Sequence, residues 1–73
     1  MRLKFKLAIV ATGIRHQALA FEANKLLPAK SHISELDVTK LVTARKNPSV
    51  EQAVILSRLL KRSVRQLFPE VKP

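Results

Sequence analysis

Seventy-three residues, fourteen of them Lys or Arg against five Asp and Glu, carry a net charge of +9 and contain no cysteine. This length suits one domain with a modest core and excludes a two-domain reading, so residues 1–73 are taken as a single unit. The missing thiols exclude a disulfide framework and thiol chemistry, while the charge points to a polyanionic partner, nucleic acid or an acidic membrane surface.

With 47% apolar residues and a single glycine, the composition is that of a globular chain. No apolar run reaches the length of a membrane span. The start imitates a secretory signal, with Arg2, Lys4 and Lys6 before Leu7 to Ala11 and then Ala18-Leu19-Ala20. Thr12-Gly13 break the apolar stretch, however, and Arg15 and His16 intrude before any cleavage site, so the segment is read as part of the fold.

Residues 1–7 alternate basic and apolar side chains as a strand would, yet Leu3, Leu7, Val10 and Ile14 also fit one face of a helix. Gly13 stands where a helix C-terminus favours it, so a helix is expected over 3–12. A second helix over 15–27 presents Ala18, Leu19, Ala23, Leu26 and Leu27, begins without a capping side chain at Arg15, and is stopped by Pro28. Residues 28–33 read as an exposed loop. Ser34 then caps a third helix with Glu35 and Asp37 in its first turn, where the macrodipole favours acids, and Val38, Leu41 and Val42 turn inward.

A basic corner, Arg45-Lys46-Asn47-Pro48, follows. Pro48 lacks an N–H and holds Asn47 away from helical angles, so an element must end there. Ser49 with Gln52, and Ser63 with Gln66, have the spacing of capping boxes for a fourth and a fifth helix. Between them Val50, Ala53, Val54, Leu56, Leu59 and Leu60 form an apolar stripe. The tail from Pro69 is expected to fray. Five short helices with tight connections predict a compact all-α domain.

At this point the chain resembles the Cro/C1-type, or XRE-like, helix-turn-helix family of phage and bacterial transcriptional regulators. Gly13-Ile14-Arg15-His16-Gln17-Ala18-Leu19-Ala20 looks like the entry into the second helix of that family. Val38-Thr39-Lys40-Leu41 looks like the inner half of its recognition helix, and Lys46-Asn47-Pro48-Ser49 like the corner after it. Leu56 to Phe68, with its Ser63-Val64 and Leu67-Phe68 pairs, is similar to the last two helices. The likeness runs over nearly the whole chain and rests on order and spacing, not on one motif. Four features depart from the family pattern. His16 replaces the usual Gln, and an extra segment from Lys25 to His32 lengthens the turn between helices two and three. Ala44 and Lys61 stand where glycines usually follow helices three and four, and Glu35 and Asp37 put negative charge at the end of the helix that would face DNA.

The resemblance implies a lambda-repressor-like fold with the helix-turn-helix formed by helices two and three, and a small phage- or prophage-type repressor of the bacterial or phage-infected cytoplasm. It further implies that helix three enters the major groove of double-stranded DNA and that Glu35, Leu36, Thr39 and Lys40 face base edges. Lys40 suits guanine O6 and N7, Glu35 suits cytosine N4, and Leu36 or the Thr39 methyl suits a thymine methyl. Asp37 reads better as a stabiliser of the helix start, and Glu35 fits either role. Arg15, His16, Gln17, Arg45, Lys46 and Asn47 become the phosphate-contacting set. Binding as a homodimer follows from two-fold operators, with Val64, Leu67 and Phe68 as candidate subunit contacts; Leu67 and Phe68 read alternatively as closure of the monomer core, and for Phe68 the two readings are equal. Arg2, Lys4 and Lys6 would form a basic arm if the first residues were not helical. The Lys25–His32 segment is either a tolerated surface extension or an added backbone contact.

Two other function classes share the charge. A DNA-binding antitoxin would use the same fold. A structured-RNA or ribosome-associated protein would need stacking rings, whereas Phe5, Phe21 and Phe68 fall at core-like positions with no Tyr or Trp to replace them. No carboxylate pair, nucleophile–base set or phosphate-cradling Gly-rich loop is visible, so no enzyme, small-molecule substrate or cofactor is expected. Two separated histidines without cysteine predict no metal site.

Overall fold

The computed structural model describes residues 1–72. Among them the chain forms five α-helices and no strand: α1 (Leu3–Thr12), α2 (His16–Asn24), α3 (Glu35–Val42), α4 (Val50–Leu59) and α5 (Val64–Leu67), with a 3₁₀ turn at Ala29–Ser31. The expected all-α architecture is therefore present.

Local chemistry sets most of the boundaries. Ser49 accepts from the Gln52 backbone N–H at 3.2 Å while the Gln52 side chain accepts from the Ser49 N–H at 2.9 Å. Ser63 and Gln66 repeat the exchange at 3.1 Å each way. The third helix starts on the same device, with Asp37 accepting from Ser34 N–H at 2.8 Å and Ser34 Oγ from Asp37 N–H at 3.1 Å. Each box satisfies two backbone donors that a helix start would otherwise leave open. α2 has no such cap at Arg15, as its sequence suggests.

The helix ends carry the first surprise. Ala44 and Lys61 adopt the left-handed φ values of 62° and 57° that glycine usually supplies. Ala44 N–H donates to Leu41 and Arg45 N–H to Lys40, closing the C-terminus of α3. Lys61 N–H to Arg58 and Arg62 N–H to Ser57 close α4 in the same way. Both ends thus keep the glycine geometry without glycine, at about 1–2 kcal/mol of Cβ strain apiece. Gly13, at φ 70°, ends α1 without that strain.

The core is built around Phe5, Leu19, Val38, Leu41, Leu56, Leu60 and Phe68, all fully buried. Phe5 and Phe68 meet in a tilted pair with centroids 4.9 Å apart, joining α1 to the end of α5. This pairing reverses the expected orientation of α1. Phe5, Ala8 and Ile9 face inward, whereas Leu3, Leu7 and Val10 stand 58%, 55% and 66% exposed and Ile14 is half-buried. Both stripes have helical spacing, and the larger ring takes the core. In α2, Leu19, Ala20 and Ala23 point inward; Ala18 and Leu26 are exposed, and the helix ends at Asn24, short of the expected residue 27. Phe21 is 63% exposed with Lys25 Nζ over its ring at 4.8 Å, so it is not a core residue.

Two segments expected to be loose are tied down. In the 28–33 connection Ile33 is buried, and Gln52 donates to the Ser31 carbonyl at 2.9 Å. Past Pro69, Val71 packs on the core and Glu70 pairs with Arg2 at 2.7 Å; Pro73 lies outside the described residues. Arg2 is consequently no flexible arm. Its side chain is only 10% exposed, and α1 starts immediately after it.

Candidate nucleic-acid interface

The most extensive helix–helix contact is that of α2 with α3. The connection between them is long but closed: Asn24 Nδ2 donates to the Ile33 carbonyl at 2.7 Å, and Asn24 Oδ1 accepts from the Ile33 N–H at 2.8 Å. This pair of bonds imitates a strand ladder and pins the loop at its mouth, so its additional length need not loosen the α2–α3 geometry. Inside the loop, His32 Nε2 lies 3.1 Å from the Leu27 carbonyl, a bond in which the ring nitrogen must be the donor.

Val38, Leu41 and Val42 bury one side of α3, and the other side carries Glu35, Leu36, Thr39 and Lys40, all exposed. Thr43, which caps the helix C-terminus, extends this outward face by one turn. Its one mark in the sequence is its distance of four from Thr39. Asp37 lies to the side and is partly covered.

His16 joins the start of α2 to this face. Its Nδ1 lies 3.0 Å from Thr39 Oγ1, and Thr39 Oγ1 donates to the Glu35 carbonyl at 3.3 Å. A hydroxyl has one proton to give, so with that proton on Glu35 the oxygen accepts from Nδ1–H and leaves Nε2 as the free ring position. Arg15 and Gln17, on either side, are exposed. The structure thus brings the start of α2 and the outward face of α3 into one surface.

The residues of the corner differ in how they are held. Arg45 is exposed and has no acidic partner, but Lys46 Nζ pairs with Asp37 Oδ1 at 3.0 Å. Asn47 Oδ1 accepts from Arg2 Nη2 at 2.6 Å, and its amide N–H groups can donate to another partner. Arg2 also donates through Nη1 to the carbonyls of Leu41 (2.7 Å) and Lys46 (2.9 Å), while its backbone N–H donates to the Val42 carbonyl at 2.8 Å. The corner is therefore braced from within by Arg2, a residue whose sequence context marks it only as one basic side chain among several near the start. No local pattern could reveal this, because every partner is distant in the chain.

Ion pairing sharpens the charge map. Glu22 pairs with Lys25, Asp37 with Lys46 and Glu70 with Arg2, so three of the fourteen cations are matched and eleven have no acidic partner among the described residues. The Ser34 backbone N–H, followed by Lys46, holds the Asp37 carboxyl below its usual value. The Arg2 guanidinium does the same for Glu70. Glu35 is the acid left exposed and unpaired beside the outward face of α3.

Of the two roles open to Val64, Leu67 and Phe68, their burial fits closure of the core. Leu67 and Phe68 are buried and Val64 packs on the core, so these side chains close the monomer and offer little to a second copy. Among the described residues no helix is long and apolar enough to cross a membrane, and no three potential metal ligands lie together. In comparisons with known proteins, no family model, curated protein or solved structure matches the chain.

Proposed function

We propose that this protein is a sequence-specific regulator that binds double-stranded DNA, with α2 and α3 acting as a helix-turn-helix and α3 entering the major groove. The observation that carries the reading is the joined surface of α2 and α3. Exposed Leu36, Thr39, Lys40 and Thr43 line one side of a helix whose neighbour, through His16, bonds to Thr39 itself. An α-helix with side chains is about 10–12 Å across and the major groove about 12 Å wide, so this face can reach base edges. Arg15, Gln17 and Arg45 flank it and supply phosphate contacts that fix register without reading sequence. Lys46 and Asn47 then act chiefly by shaping the corner, since each is bonded within the chain.

Glu35 has a definite consequence under this reading. An unpaired carboxylate at the leading end of α3 repels phosphate and accepts from cytosine N4, so it favours C·G at the position it meets. The same reading includes two copies on a pseudo-palindromic site, each occupying a half-site.

Selection of duplexes from a random pool, followed by binding of the enriched and scrambled sequences over a salt series, tests it. Enrichment of one sequence with tight, preferential binding supports the regulator. A steep salt slope with equal affinity for every duplex would instead leave a generic binder of polyanions.

A further inference from the structure

α1 is apolar on both sides. Beyond the stripe that enters the core, Leu3, Leu7 and Val10 sit at i, i+4 and i+7 on the solvent side, and Met1 is exposed as well. Three large aliphatic side chains aligned on one exposed helix face go beyond the scattered single apolars normal on a surface. The stripe borders α5 across two adjoining hollows of about 330 and 350 Å³, which share Lys4, Gln66 and Leu67. One continues to Leu7 and Arg62, the other to Leu3 and Glu70, so together they form a groove along α1. Ten residues of helix make it about 15 Å long, the length of roughly three turns of a partner helix.

Charge decides what can lie there. Lys4 and Arg62 sit on the rim, and the one acid in the lining, Glu70, is bonded to Arg2. A second copy of this chain cannot answer that rim through its own groove. Of its five acids, Glu22, Asp37 and Glu70 are held in internal pairs, which leaves Glu35 and Glu51, and neither lines the groove. A symmetric pairing would set basic rim against basic rim between two molecules of charge +9.

We propose that the groove between α1 and α5 binds an amphipathic helix of another protein, with aliphatic anchors along one side and Asp or Glu at its margins. The helix would meet Leu3 and Leu7 with its apolar side and Lys4 and Arg62 with its acids. None of Leu36, Thr39, Lys40 or Thr43 lines the groove, so the inference stands apart from the DNA reading.

The test uses the full chain, ¹⁵N-labelled, and a synthetic helical peptide of about fifteen residues with Leu at i, i+4, i+7 and i+11 and Glu on the flanks. A twin peptide with Lys for Glu is the control. The Glu peptide should shift resonances of α1 and α5, and its affinity should fall roughly tenfold in Leu7→Ser and again in Lys4→Glu. Leu7 and Lys4 are exposed, so both variants keep the fold, and unchanged helical circular dichroism checks this. The twin should not bind. The proposal is overturned if the Glu peptide fails to bind, binds as well to Leu7→Ser, or shifts α3 and the start of α2 instead. It is equally overturned if sedimentation shows a dimer that Leu7→Ser abolishes, which would give the groove to a second copy. Binding to phosphatidylglycerol vesicles, Leu7-dependent and without peptide binding, would give it to a membrane.

Discussion

Arg2 donates to the side-chain oxygen of Asn47 at 2.6 Å, so the second residue of the chain holds the corner that follows α3. The same guanidinium caps two carbonyls, of Leu41 and Lys46, and grips Glu70 from the last turn. Its carbon lies 5.7 Å from the centroid of the Phe68 ring. One planar fork thus joins the start of the chain, the end of α3, the corner and the tail, a task to which a point charge is poorly suited.

Arg2→Met should therefore cost about 2–3 kcal/mol of stability, because it leaves partly buried carbonyls without donors. Arg2→Lys should recover less than half of that loss, because one ammonium cannot span four acceptors. Urea unfolding of the three proteins provides the comparison. If Arg2→Met unfolds at the wild-type urea midpoint, the fork does not brace the fold.

The two left-handed helix ends give a prediction of opposite sign. Ala44→Gly and Lys61→Gly should each raise stability by about 1 kcal/mol, by relieving Cβ strain at φ values of 62° and 57°. Gly13→Ala should lower it by about the same amount through backbone strain alone, since a Cβ there would meet no atom within 4 Å. Thermal unfolding of the three variants reads all of these effects; a destabilised Ala44→Gly would contradict the assigned geometry.

Acid titration probes Asp37 and Glu70. Both carboxyls are held below their ordinary values in the folded chain, Asp37 first by the Ser34 N–H and then by Lys46, Glu70 first by Arg2. A group depressed on folding contributes stability that is complete above its unfolded value and is lost as pH falls through the folded one. Stability should thus decline below about pH 4, and the Asp37→Asn, Glu70→Gln double variant should show a shallower decline. An identical acid limb in the variant would show that other groups control it.

How much of this was legible depended on distance along the chain. The boxes at Ser49–Gln52 and Ser63–Gln66 could be read because each is complete within four residues, and the break at Pro48 is local for the same reason. Ser34 was read as a cap, although its reciprocal partner Asp37 was seen only as an acid near a dipole. The inward face of α1 was not legible, since both of its stripes have helical spacing and the choice is made by Phe68 from the other end of the chain. Arg2 and Lys46 looked alike as surface cations, and only tertiary contact shows that each is bonded internally. The outward set on α3 matched because its complement, Val38, Leu41 and Val42, is unambiguous.

That internal bonding separates two neighbours on the proposed DNA surface. Arg45→Ala should weaken all duplexes about equally and reduce the salt slope by about 1, because Arg45 is exposed and unpaired. Lys46→Ala should have a smaller effect on the slope and lower the unfolding midpoint slightly, since its ion pair with Asp37 is partly exposed and worth about 0.5 kcal/mol. Fluorescence anisotropy across a salt series distinguishes them, and equal slopes in both variants would remove the distinction.

The central claim is that the outward face of α3 reads base edges. Its most direct test is the binding of wild type and Lys40→Ala to a pool-selected duplex and to a scrambled one at the same salt concentration. The wild type should prefer the selected duplex by roughly a thousandfold, and Lys40→Ala should lose about 1–3 kcal/mol there with little change on the scrambled duplex. Equal wild-type affinity for both duplexes, or a Lys40→Ala variant that binds both as the wild type does, would contradict it.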